Sequence, residues 1–205
     1  DAEELASSVH AKVACAKYHT EASPVEVRPC KTITKKVDCS ICHAGIVEQY
    51  QTSTHGMLHA KNDPNAPTCI ECHGTHGTKS KKATDSPTFS INVPALCARC
   101  HREGEKAAAR YTGNERDILK HYTESIHGKG LLKSGLVVTA MCTNCHTPHR
   151  ELPAANPEST VNRDNIAKTC GRCHNGVYES FTQSIHYPKS APPLVKGAGG
   201  IAKTD

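Results

Sequence analysis

Cys69-Ile-Glu-Cys72-His73-Gly-Thr-His76 and Cys142-Thr-Asn-Cys145-His146-Thr-Pro-His149 decide how this chain is read. Each joins two thiols three positions apart to an imidazole directly after the second, with another imidazole three residues on. At the same interval after each comes a shorter copy, Cys97-Ala-Arg-Cys100-His101 and Cys170-Gly-Arg-Cys173-His174. A fifth copy, Cys39-Ser-Ile-Cys42-His43, precedes them all. These segments account for most of the 12 Cys and many of the 14 His in 205 residues. With no Trp, 2 Phe and 6 Tyr, the chain is short of the large apolar side chains that normally fill a core of this size.

C-x-x-C-H is the attachment signature of c-type haem. The two thiols lie along one helical turn and each bonds a vinyl group; the following His is the proximal iron ligand. Zinc is the competing reading, because Cys69, Cys72, Cys97 and Cys100 could form a tetrathiolate site. Zinc, however, does not require His after every second Cys, and a redox C-x-x-C does not require five copies. The expected cofactor is therefore haem c, five per chain. It is held by thioethers at Cys39, Cys42, Cys69, Cys72, Cys97, Cys100, Cys142, Cys145, Cys170 and Cys173, with His43, His73, His101, His146 and His174 proximal.

The remaining histidines repeat too. The stretch from His43 to His55 aligns without gaps to that from His174 to His186, and both end in Ser-x-His. Ser125-Ile-His127 is a third such frame and Ser8-Val-His10 a fourth. The module is Ser-x-His, then C-x-x-C-H-x-x-H, then C-x-x-C-H. The expected organisation is one multihaem domain, with a degenerate module over about 8–52, modules over 53–124 and 125–187, and a Pro- and Gly-rich tail over 188–205. In the degenerate copy, Cys15-Ala-Lys-Tyr18-His19 has Tyr in place of the second Cys. It reads as a lost haem site, with a single retained thioether as the alternative. The leftover thiols, Cys15 and Cys30, are expected to pair as a disulfide outside the cytoplasm.

The distal ligand candidates are His10, His55, His76, His127, His149 and His186, with His19 as an alternative to His10. His73 and His76 lie three apart and leave the backbone on the same side. Axial ligands approach iron from opposite faces, so His76 must serve a different haem from the one His73 holds, and His149 likewise. Two haems are thereby forced close together. His59 and His121 are spare. Met57 and Met141 could ligate iron, but with enough His present they read as packing residues. Low-potential bis-His ligation is expected.

The motif set resembles the multihaem c-type cytochromes over nearly the whole chain up to about His186. The resemblance implies short helices and loops wrapped around a haem stack, mostly α and irregular, with little or no β-sheet. Helical periodicity places Ile46, Val47 and Tyr50 on one face, and Ile118, Leu119, Tyr122 and Ile126 on another, with Asn114 as a cap. Pro94 opens the helix of the Cys97 motif, and 62–67 and 152–157 read as loops.

The Ser-x-His-Gly frames and C-x-x-C-H-x-x-H motifs further resemble extracellular cytochrome filament subunits, in which a histidine of one subunit commonly ligates a haem of the next. That implies identical subunits joined head to tail, through His10 or His19 of the N-terminal arm. A soluble periplasmic pentahaem shuttle to a terminal reductase is the alternative. A reductase is the weakest reading, since multihaem nitrite reductases carry Lys in place of the motif His at the catalytic haem, and all five motifs here end in His. No catalytic residue is expected, and other redox proteins are the remaining partners.

The formal charge of +5 does not indicate nucleic acid. The positive residues are scattered, and haem carboxylates and irons bring the sum to roughly zero when oxidised. No stretch approaches the ~18 apolar residues of a membrane helix. The start at Asp1-Ala2-Glu3 reads as a mature secreted chain, extracellular or, alternatively, periplasmic.

Overall fold

Apolar segments interrupted every few residues by Gly, Pro, Ser or Cys cannot propagate long helices, and the chain forms short ones. The structure, a computed structural model, describes residues 2–19, 36–113 and 116–187. Its α-helices are α1 (Ala2–Ala6), α2 (Cys15–Tyr18), α3 (Ser40–Gln51), α4 (Thr54–Ala60), α5 (Cys69–His73), α6 (Val93–His101), α7 (Ile118–Glu124), α8 (Ile126–Leu132), α9 (Cys142–His146), α10 (Ile166–Gly171) and α11 (Asn175–Thr182). Among the described residues there is no strand, and no helix is long and apolar enough to cross a membrane.

Two corners recur. Ser53 caps α4 and Ser125 caps α8, each hydroxyl accepting from the glycine N–H three residues on, Gly56 or Gly128, at 3.0 Å. These glycines press on the preceding helix. A Cβ at Gly56 would lie 1.9 Å from the Tyr50 carbonyl oxygen, and one at Gly128 2.0 Å from that of Tyr122. Only glycine lets the two backbones meet there. The tyrosines brace the corners from below: Tyr50 donates to the Pro67 carbonyl at 2.7 Å and Tyr122 to that of Ala140 at 3.1 Å. Burial beside motif cysteines pushes both phenols up to about 12, so they act as neutral donors.

The connections inside the two halves also match. Ser86 and Ser159 are buried and reach the carbonyls of Lys79 and Leu152. Asn92 donates to the carbonyls of Thr84 and Ser86, and Asn165 to those of Pro157 and Ser159. Each pair stands at the offset that separates Cys69 from Cys142. These side chains satisfy the carbonyls of a long turn-rich segment, where no ladder can.

Pro94 lies in the first turn of α6, and 62–67 and 152–157 are loops. Two expectations change. Asp117, not Asn114, caps α7, accepting from Lys120 N–H at 3.0 Å; Asn114 itself lies outside the described residues. Ile126 does not continue that helical face, because the chain breaks at Ser125 and Ile126 starts α8, 80% exposed.

The apolar residues buried among the described ones are few and mostly small: Val93, Ala98, Ala108, Leu131, Leu152 and Tyr178. Ile41, Ile70, Val138 and Ile185 are exposed, at 47% or more. Such a fold lacks the side-chain core that normally outweighs chain entropy. A large apolar prosthetic group packed among these helices would supply one.

Candidate haem sites

The attachment frame is a single helical turn. The amide of His43 donates to the Cys39 carbonyl at 2.9 Å and that of His174 to Cys170 at 3.0 Å. This closes the turn that sets both thiols and the imidazole on one side. The backbone then leaves the helix at the histidine: His43 breaks α3 at φ −115°, ψ 39°, and His174 has φ −101°, ψ 51° before α11. α5 and α9 end on His73 and His146, followed by Gly74 at φ 76°, ψ −170° and Thr147 at φ 67°, ψ 154°. That backbone region is essentially reserved for glycine, so Thr147 is strained, and its hydroxyl is buried without a hydrogen-bond partner among the described residues. The reversal turns the chain sharply before His76 and His149. These histidines thus diverge from His73 and His146 through a chain turn, not by sharing one helical face.

The imidazoles meet in pairs. Ring centroids lie 6.1 Å apart for His10–His43 and His55–His101, and 6.0 Å for His73–His149 and His127–His174. His19 faces His76 at 6.2 Å. Two imidazoles on opposite sides of one metal, with metal–nitrogen bonds of about 2 Å, place their centroids about 6 Å apart. The observed spacing therefore fits an axial pair and is too wide for direct ring stacking at van der Waals contact. Together with the cysteine turns and the sparse side-chain core, it fits haem c.

The pairing follows a rule. Each Ser-x-His reaches the second motif of its own module: His55 faces His101, and His127 faces His174. Each additional His of C-x-x-C-H-x-x-H reaches the first motif of the preceding module: His149 faces His73, and His76 faces His19. His10 obeys the first rule with His43. Both arm histidines thus face imidazoles of their own chain. His146 and His186 face no imidazole among the described residues, and both are exposed. His59 packs against Tyr50, with ring centroids 6.3 Å apart, and His121 lies on α7.

Successive motifs lie within electrostatic reach of one another. The neighbouring thiols of Cys97 and Cys142 act on each other, which pushes Cys97 up and pulls Cys142 down. Burial, with Cys39 beside it, raises Cys69. Burial raises Cys72 and Cys145 as well, with Cys100 close to the first and Cys170 close to the second. Burial also lowers His73, His101 and His149, holding them in the neutral form that binds iron. Burial lowers His146 too, although the residue as a whole is exposed. His43 acts on His73, and His146 on His101. The motifs therefore line up in space in chain order. Cys30 lies outside the described residues, and with it the expected Cys15–Cys30 bridge.

The sequence reading missed Glu151. Its carboxylate lies 3.5 Å from His55 Nδ1, and its carbonyl accepts from Thr54 N–H at 2.8 Å. It thus ties the second C-x-x-C-H-x-x-H segment to the first Ser-x-His corner and sets a carboxylate beside a candidate axial imidazole. The signal was a carboxylate two residues beyond His149. It also missed the buried Ser86 and Ser159, which were readable as a constant offset within the repeat.

The doubled CXXCH motif family matches the chain twice, over residues 59–106 and 135–178. No curated protein and no solved structure matches it. Two doubled motifs indicate a multihaem c-type cytochrome with covalently bound haem c, which is the chemistry of electron transfer.

Proposed function

We propose that this multihaem c-type cytochrome is a wire: five haems, one on each intact C-x-x-C-H, pass electrons in chain order, outside the cytoplasm. One observation carries the reading. Four of the five proximal histidines face a second imidazole at 6.0–6.1 Å. An iron closed on both sides exchanges electrons but binds no substrate. The closeness of successive motifs would bring these closed irons near one another.

His146 supports the finer reading, that copies join into an extracellular filament. It is the one proximal histidine of an intact motif without an imidazole opposite it among the described residues, while His186 keeps the Ser-x-His frame and is exposed. In this reading His186 of one copy completes the His146 site of the next. The bridge thus sits at the C-terminal end, because His10 and His19 already have partners in their own chain. Such a contact joins two different surfaces, and when it does not close into a ring it gives a helical polymer.

The same observation gives the enzyme reading its only foothold, since an iron open at His146 would bind a small oxyanion. The test is the size and spin state of the native protein. The wire predicts polymers with every iron low-spin, and short or absent polymers plus one high-spin iron per chain in His186→Ala. A monomer with every iron six-coordinate favours the shuttle. A monomer with one high-spin iron that binds nitrite favours the reductase.

A further inference from the structure

We infer that Cys15-Ala-Lys-Tyr18-His19 holds a sixth haem, bonded through one thioether at Cys15, with His19 and His76 as its axial pair. The inference rests on the haem reading above and extends it to a frame that, by sequence, looks spent.

The geometry of this frame has not decayed. α2 keeps the attachment turn: the His19 amide donates to the Cys15 carbonyl at 2.8 Å, as His43 does to Cys39 at 2.9 Å. His19 and His76 stand 6.2 Å apart at an interplanar angle of 41°, close to the 6.0 Å and 40° of His127–His174. The two segments are held together independently of their rings. Val9 N–H donates to the Thr78 carbonyl at 2.9 Å, and Glu4 Cβ lies 3.7 Å from where a Cβ on Gly77 would be. The arm is docked on the loop that carries His76.

The pairing rule requires an iron here. His149 serves the first motif of the module before it, and His76 reaches the corresponding place one module earlier, which is His19. Every proximal histidine of an intact motif except His146 already faces another imidazole, and His76 faces none of them. Without a haem at His19, His76 faces no proximal histidine of a haem in its own chain. His19 Nδ1 and Tyr18 Oη are buried with no hydrogen-bond partner among the described residues. The Tyr18 ring packs edge-on against His10, at 5.5 Å between centroids. Tyr18 thus takes the second cysteine's place while supporting the distal imidazole of the neighbouring site.

The chemistry balances with one thiol. The Cys15 sulfur bonds to one vinyl carbon, the vinyl double bond becomes single, and the thiol hydrogen passes to the other vinyl carbon. No oxidant or reductant is consumed. The second vinyl stays intact, because Tyr18 has no thiol to add.

The test counts haems on the native secreted protein by intact mass under denaturing conditions, with haem located by peptide mapping. The expected result is six, one of them on the peptide containing Cys15. Alkylation without reduction should then label Cys30 but not Cys15. Cys15→Ala should lose one covalent haem and keep five. Tyr18→Cys keeps the count at six but saturates the second vinyl, moving the haemochrome band of one haem in six to shorter wavelength. This variant leaves the arm's own thiol in place and guards against misfolding of the first. Five haems with Cys15 alkylated, or with Cys15 bridged to Cys30, would overturn the sixth site and leave the five-haem wire standing. Five covalent haems plus one extracted by acid would overturn the thioether. Fewer than five would sink the wire reading itself.

Discussion

The stretch from Ser53 to His101 and the arm from Ser8 to His43 use one plan with different rigour. In the first, Ser53 caps a helix, Gly56 sits against a backbone carbonyl, and His55 is fixed within that corner before facing His101. In the arm, Ala11 stands where the glycine would be. The Ser8 hydroxyl accepts instead from the His10 amide, at 3.0 Å, and no helix begins at that frame. His10 still faces His43 at the same distance. The second cysteine is likewise gone from the arm, yet its imidazole pair remains. What persists in both regions is the placement of paired imidazoles; what varies is the local device that achieves it.

The sharpest way to break this comparison is to remove one ligand from each region. His149→Ala opens the iron facing His73, and His76→Ala opens the one facing His19. Each should convert one iron per chain to high spin and allow it to bind carbon monoxide. A spectroscopic change in His149→Ala alone would make the arm an empty imitation of the module.

The next largest effect separates the two kinds of corner. Gly56→Ala and Gly128→Ala drive a methyl into a carbonyl oxygen at 1.9–2.0 Å. Each should destabilise by about 2 kcal/mol or more. Ala11→Gly in the arm should change stability by only about 0.5 kcal/mol. Thermal unfolding of the loaded protein measures all three. Equal, small shifts would mean that the corners relax freely.

A smaller effect distinguishes the two C-x-x-C-H-x-x-H turns. Thr147 is strained where its counterpart Gly74 is not. Thr147→Gly should relieve about 1–3 kcal/mol of backbone strain, less the roughly 0.5–1 kcal/mol entropic cost of glycine. A net gain of about 1 kcal/mol is expected in the same unfolding assay, and Gly74→Thr should lose stability. A loss in Thr147→Gly would show that the threonine side chain contributes more than its backbone costs.

The attachment chemistry was legible because C-x-x-C-H is local, fixed by one helical turn. That His76 and His149 face imidazoles other than those of their own motifs agrees with the expectation from spacing, with the reversal at Gly74 and Thr147 as the physical cause. Pairing was not legible. It depends on where long turn-rich segments such as 77–92 deliver the chain, and their guides, Ser86 and Asn92, carry no motif. The helix boundary at Ser125 was hidden because Ile118, Leu119, Tyr122 and Ile126 share a helical period across a break. The arm shows a related limit. Loss of one cysteine is visible in sequence, whereas retention of an imidazole pair is visible only in space.

The central claim is that the irons are closed on both faces by histidine, with His146 completed from a neighbouring chain. Electron paramagnetic resonance of the fully oxidised protein, before and after dissociation to single chains, tests it most directly. Only low-spin bis-imidazole signals are expected in the assembled protein, and one high-spin iron per chain on dissociation, lost again on reassembly. A high-spin iron persisting in the assembled protein, or none appearing in isolated chains, would contradict it.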